Sequence, residues 1–170
     1  VAAAGIDRSV VVVGYKAEDV RDEIGGRDGV SFALQAEQRG TGHAVMMCAD
    51  QLEGHGGPVL VLTGDSPLVQ KSSLTALLQA YHRDQPACIL GTTHKDDPTG
   101  LGRILRDENG DFVGIVEQKD ATDEQQRITE VNMSTYVFHG PDLLEALPLL
   151  RDNNKQGEYY ITDCPAILKE

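Results

Sequence analysis

The run SVVVVGY, Ser9 to Tyr15, constrains the fold more than any other stretch of the chain. A continuous β-branched series without polar alternation is the pattern of a strand covered on both faces, and such strands belong to parallel sheets flanked by helices. AEDVRDEI follows with helical spacing and is closed by Gly25 and Gly26, giving a strand and its crossover helix. The pattern then repeats. VSFALQ reads as a second strand, GHAVMMCADQL as a helix, and PVLVLTGD as a fully apolar strand ending in Gly64 and Asp65. SSLTALLQAYHRD reads as a helix with Ser72 or Ser73 as N-cap, and ACILGTT as another strand. This alternation predicts an α/β fold, a mainly parallel sheet with helices on both faces and right-handed crossovers.

The pattern changes after Thr93. RILRDENGDFVGIVEQ predicts two strands joined by a turn at Asn109 and Gly110, a β-hairpin insertion that makes the sheet mixed. DATDEQQR is polar and helix-prone, EVNMSTYVF is a further strand, and PDLLEALPLL is a helix opening at Pro141 and distorted at Pro148. A polar loop and a short helix, NNKQGEYYITDCPAILKE, follow. No internal repeat, low-complexity stretch or linker composition interrupts the 170 residues, which read as one domain.

Charge narrows the function. Fifteen basic against 27 acidic residues leave a net charge of -12, which repels nucleic acid and anionic membrane over most of the surface. No apolar run approaches the ~20 residues of a membrane span, and VAAAGIDRSVVVV lacks a basic leader, so a soluble, cytoplasmic chain is expected. Cys48, Cys88 and Cys164 form no C-x-x-C pair and read as buried thiols of a reducing compartment. The histidines have no ligand spacing either; only His43 stands beside a motif.

In an open parallel sheet, ligands bind beyond the carboxyl ends of the strands. Asp65 ends an apolar strand there and suits Mg²⁺, which typically takes one or two protein carboxylates and fills its shell with phosphate oxygens and water. An aspartate that only caps the next turn fits the same position. Gly40, Thr41 and Gly42 also admit two readings. They match neither a P-loop, since no Lys-Ser/Thr pair follows, nor G-x-G-x-x-G, since Val45 stands at the third glycine. They can form a tight strand-to-helix turn, or bring backbone close to a flat ligand beside the amides of Gln35 and Gln38.

Six segments occur together and in order: QAEQRGTGHAVMMCAD, VLVLTGDSPL, DPTGLGRI, GIVEQKDA, EVN and NNKQGEYYITD. Together they resemble the sugar nucleotidylyltransferases, and among them the uridylyltransferase domain of bacterial N-acetylglucosamine-1-phosphate uridyltransferases. The likeness covers essentially the whole chain, and GTGHA with GEYYITD is its most specific part. It implies a Rossmann-like nucleotidyltransferase fold and a pyrophosphorylase that joins UTP and N-acetylglucosamine 1-phosphate into UDP-N-acetylglucosamine and pyrophosphate, a cell-wall precursor step. By the same resemblance Gln35 meets the uracil edge, Gly40 and Thr41 line the base pocket, Gly64 leaves room for nucleotide and Asp65 holds Mg²⁺. On the sugar side it implies Gly102 through its backbone, Glu117 and Asn132 on hydroxyl or N-acetyl groups, and Tyr160 and Thr162 completing the pocket. Another sugar-1-phosphate nucleotidylyltransferase, or a non-catalytic regulatory module of the same fold, are the rival readings.

Departures from the family pattern carry expectations too. The family's L-A-A-G-x-G-T-R-M loop and its Pro-Lys pair, which wrap the triphosphate, have no counterpart here; VAAAGIDRSVVVVGY resembles the segment just after them. A partial domain is therefore expected, inactive by itself, with an exposed sheet edge that favours association. A second metal ligand, an asparagine, would lie past Glu170, and no hexapeptide repeats of an acetyltransferase β-helix are present, although the family's full-length members can form oligomers. Met133 and Ser134 replace the usual Thr-Gly, and Leu101 stands where an aromatic is common.

Overall fold

The β-branched run forms strand β1 (Ser9–Val13), which pairs in parallel with β2 (Val30–Leu34) across the helix α1 (Ala17–Ile24). The computed structural model describes residues 2–66 and 69–169; the expected Ser-Pro-Leu continuation after Asp65 thus lies partly outside the described residues. β1 and β2 make a sheet of their own. A second sheet holds β3 (Pro58–Leu62), β4 (Cys88–His94), β5 (Arg103–Arg106), β6 (Phe112–Val116) and β7 (Glu130–His139).

The sheet is mixed, as the hairpin required, but its pairing corrects the mainly parallel expectation. β3 and β4 run the same way, yet they do not touch through a shared ladder: β7 lies between them and pairs antiparallel with both. The reason is in β7 itself, whose Val131, Tyr136, Val137 and Phe138 are at most 1% exposed and fill the centre of the core. A ten-residue strand this apolar is the one that the sheet surrounds. β5 and β6 form the predicted hairpin, with Gly110 at φ 84° in its turn and a register shift between Leu105 and Arg106.

The helices differ in detail. GHAVMMCADQL breaks into α2 (Thr41–Met46) and α3 (Ala49–Leu52), and α4 (Lys71–Asp84) starts earlier than its serines suggest, with Gln70 at the N-cap. Ser72 and Ser73 therefore lie inside the first turn and cap nothing. DATDEQQR yields only a 3₁₀ turn at Gln125–Arg127. α5 (Gly140–Ala146) carries Pro141 in its first turn and passes at Pro148 into a 3₁₀ turn, as its sequence predicts. α6 (Cys164–Ile167) follows a 3₁₀ turn at Ile161–Asp163 and packs on α5 and β6. Cys48 and Cys164 are buried free thiols, as expected; Cys88 is half-buried.

Between the two sheets runs a cleft of about 1260 Å³, lined by β1 on one side and β3 on the other, with Leu74 of α4 beneath. Val10, Val11 and Val12 and all five residues of β3 are only half-buried, although their sequences are those of strands covered on both faces. β1 and β3 thus both present half-buried residues to the cleft.

Candidate functional site

Gln35, Thr41, Gly64 and Asp65 line the cleft, at the ends of β2 and β3 and the start of α2. The GTGHA turn is built by contact with the chain itself. Gly40 has φ 104°, and a Cβ there would stand 2.5 Å from Tyr159 O; a Cβ on Gly42 would stand 2.6 Å from Leu150 Cδ1 and 3.0 Å from Tyr159 O. Both glycines thus allow close approach of the Tyr159 and Tyr160 backbone. Three hydrogen bonds complete the junction: Gly42 N–H to Tyr159 O at 2.7 Å, Tyr159 N–H to Arg39 O at 2.8 Å, and Ile161 N–H to Thr41 Oγ1 at 3.1 Å. GTGHA and GEYYITD, 120 residues apart by the last of these, are one structural unit.

Gln35 is nearly buried and donates its amide to Gly40 O at 3.0 Å and to His43 Nδ1 at 3.1 Å. A Cβ added at Gly64 would meet nothing within 4 Å, so the backbone there leaves open space beside the cleft. Asp65 is exposed there, and no hydrogen bond to its carboxylate is seen among the described residues. A lone carboxylate open to a cleft fits a Mg²⁺ that takes its other ligands from substrate phosphates. Among the described residues, no three His, Cys, Asp or Glu side chains group to hold a metal by themselves.

The sugar-side residues form a second cluster around Glu117. Thr162 Oγ1 donates to Glu117 Oε1 at 3.0 Å, and a Cβ on Gly102 would lie 3.5 Å from Glu117 Oε2 and 3.6 Å from Asn132 Cβ. Asn132 N–H reaches Gly102 O at 2.9 Å, its side-chain amide donates to Tyr136 Oη at 2.6 Å, and its Oδ1 accepts from Ser134 N–H at 3.1 Å. Tyr160 Oη donates to Asp120 Oδ2 at 3.2 Å and accepts from Gln156 Nε2 at 2.6 Å. Burial pushes the Glu117 carboxyl above the ordinary glutamate range, with the Thr162 hydrogen bond opposing and Asp120 adding. Asp163 is raised the same way, by burial first and then by Glu117 and Asp120.

Sequence reasoning missed Asp120, Tyr136 and Gln156, which hold Tyr160 and Asn132 in place. Only the nearness of Asp120 to Glu117 in the chain hinted at one of them; the others are tertiary contacts. Three basic residues lie close to these clusters, but each is engaged by the protein itself. Arg103 is 1% exposed, and its guanidinium is taken up by Leu101 O, Gln126 O and Gln118 Oε1. Lys119 bonds Gln156, and Arg39 pairs with Asp152 at 3.3 Å while lying over the Tyr159 ring.

Residues 1–170 match the nucleotidyl transferase family, and the chain belongs to it. Within the family it is 45% identical over 163 residues to the bifunctional protein GlmU of Streptococcus thermophilus (strain CNRZ 1066), covering 96% of this chain and 35% of that protein. The GlmU of Listeria monocytogenes serotype 4a (strain HCC23) is 42% identical over 170 residues, all of this chain and 37% of that protein. The chain thus spans about a third of the length of these relatives. The fold also matches UDP-glucose pyrophosphorylase in complex with UDP-glucose, at TM-score 0.75 and 18% identity, over 99% of this chain and 71% of that one. No helix among the described residues is long and apolar enough to cross a membrane.

Proposed function

We propose that the chain is the nucleotide- and sugar-binding part of a uridylyltransferase that makes UDP-N-acetylglucosamine and pyrophosphate from UTP and N-acetylglucosamine 1-phosphate, in the cytoplasm. The observation that carries this reading is the docking of the GTGHA turn on the GEYYITD segment. It links Gln35, Gly40 and Thr41, taken as the base pocket, to the Glu117, Asn132 and Thr162 cluster through a hydrogen-bonded contact. The 42% and 45% identity to GlmU proteins supports the choice of sugar and base.

On this reading the phosphate oxygen of the sugar substrate attacks the α-phosphorus of UTP, and pyrophosphate leaves. The attacking phosphate is already ionised, so alignment and charge neutralisation matter more than a general base. Glu117 Oε2 and the Gly102 backbone orient sugar hydroxyls, and the Asn132 and Tyr160 groups, fixed by Tyr136 and Asp120, shape the pocket around them. Asp65 would hold Mg²⁺, which supplies neutralisation of the phosphates when bound.

The domain is, on the same reading, partial. The apolar-lined cleft between β1 and β3 leaves room for a further strand that would join the two sheets. Arg39, Arg103 and Lys119 are engaged elsewhere, against a net charge of -12. Pyrophosphate release from UTP tests this with glucose 1-phosphate and N-acetylglucosamine 1-phosphate, for these 170 residues alone and for a longer protein in which they replace the matching segment of the Streptococcus thermophilus relative. The longer protein should prefer N-acetylglucosamine 1-phosphate and the chain alone should stay near background. Turnover by the chain at the longer protein's rate would refute the partial-domain reading, and a preference for glucose 1-phosphate would refute the substrate.

A further inference from the structure

The orientation of one buried amide bears on base selection, resting on the base-pocket reading above. Gly40 O can only accept, so it takes one proton of the Gln35 amide nitrogen, at 3.0 Å. The same nitrogen stands 3.1 Å from His43 Nδ1, and its second proton is donated there, which fixes His43 as the tautomer protonated at Nε2. Both amide protons are then used inside the protein. Among the described residues no buried side-chain nitrogen or oxygen lacks a partner, and Gln35 Oε1 has none, so Oε1 is open to the cleft that Gln35 lines. The pocket edge therefore presents an acceptor and no donor at this position.

We infer that His43 is a positioning residue for nucleobase choice: it holds the Gln35 amide so that the pocket accepts a base with an imide N–H, uracil or thymine, and turns away cytosine. Uracil offers N3–H to Oε1. Cytosine offers a lone pair at the same ring position, so two acceptors meet and one desolvated group is left unpaired. The Tyr159 ring of the GEYYITD segment lies 6.3 Å from the imidazole, tilted by 31°.

The test titrates UMP and CMP separately into the 170-residue chain, read by ¹H–¹⁵N spectra that include the Gln35 side-chain amide. The chain as it stands should bind UMP at least ~10-fold more tightly than CMP, the worth of one hydrogen bond made or opposed. His43→Phe removes the acceptor and should shrink that ratio several-fold while shifting the Gln35 amide signals. His43→Asn places Oδ1 at the same bond count from the backbone as Nδ1 and should restore it; because Asn keeps the polar contact, it also separates lost orientation from lost folding. A ratio unmoved in His43→Phe, with UMP still bound, overturns the role of His43 alone. Failure of the unsubstituted chain to bind UMP overturns the base pocket and this inference together.

Discussion

Gly40→Ala is the sharpest probe of how the site is assembled. At φ 104° and ψ 175° Gly40 occupies a region essentially restricted to glycine, which costs another residue about 1–3 kcal/mol. The new Cβ would also stand 2.5 Å from Tyr159 O and 2.9 Å from Tyr159 N, backbone atoms with no rotamer to change. Relief requires the turn to lift off residues 158–161, which strains the hydrogen bonds at 2.7, 2.8 and 3.1 Å that join the two segments. At about 1 kcal/mol net for each bond, partly retained after relaxation, and with the backbone strain, the expected loss is about 3–5 kcal/mol. Urea unfolding followed by circular dichroism measures it, and Gly54→Ala is the control. Gly54 also has a positive φ, 73°, but a Cβ there meets nothing within 4 Å, so only the backbone cost of about 1–2 kcal/mol applies. Equal losses for the two variants would refute the claim that GTGHA is shaped by contact with GEYYITD.

Ser134 sits at φ 50°, a left-handed position that suits glycine, so Ser134→Gly should stabilise the chain by about 0.5–1 kcal/mol in the same assay. Tyr136→Phe leaves the Asn132 side-chain amide, 3% exposed with its residue, without its acceptor and should cost about 1–3 kcal/mol, whereas an exposed tyrosine such as Tyr15 should tolerate the change. Glu117 is held above its ordinary value of 4.5, so the native chain keeps that proton to higher pH than the unfolded chain. Its contribution is full below the unfolded value and is lost as pH rises through the folded one; Glu117→Gln should remove that part of the pH dependence, read from urea midpoints across the acid range. Glu130 behaves oppositely. The Arg106 guanidinium, bonded to it at 2.7 and 2.8 Å, holds its carboxyl low, so this contribution is present above the unfolded value and is lost as pH falls through the folded one. Arg106→Met should therefore destabilise the chain at neutral pH and have little effect in strong acid.

The sequence made the elements legible where one physical cause dominates. SVVVV and PVLVL had to be strands, although the structure leaves most of them half-buried, and the Asn109-Gly110 turn had to close a hairpin. Strand order was not legible, because the apolar content of β7 shows that it is central without showing which strands flank it. Helix starts failed where serine chemistry suggested a cap that the chain does not use; Gln70 takes the position with extended backbone and no side-chain bond. At the site, the glycines of GTGHA signalled close approach, but what approaches is the chain's own Tyr159, some 120 residues on, a contact with no local trace. The burial of Arg103 likewise has no local trace: only tertiary structure brings Gln118 Oε1 and Gln126 O to its guanidinium beside the nearby Leu101 O.

The most direct measurement is residue-resolved chemical-shift mapping of UDP-N-acetylglucosamine on the 170-residue chain. Shifts are predicted in two groups at once: the Gln35 to His43 amides at one end of the ligand, and Gly102, Glu117, Asn132 and Thr162 at the other. Shifts confined to one group, or centred away from both, would contradict a site that spans the GTGHA–GEYYITD junction.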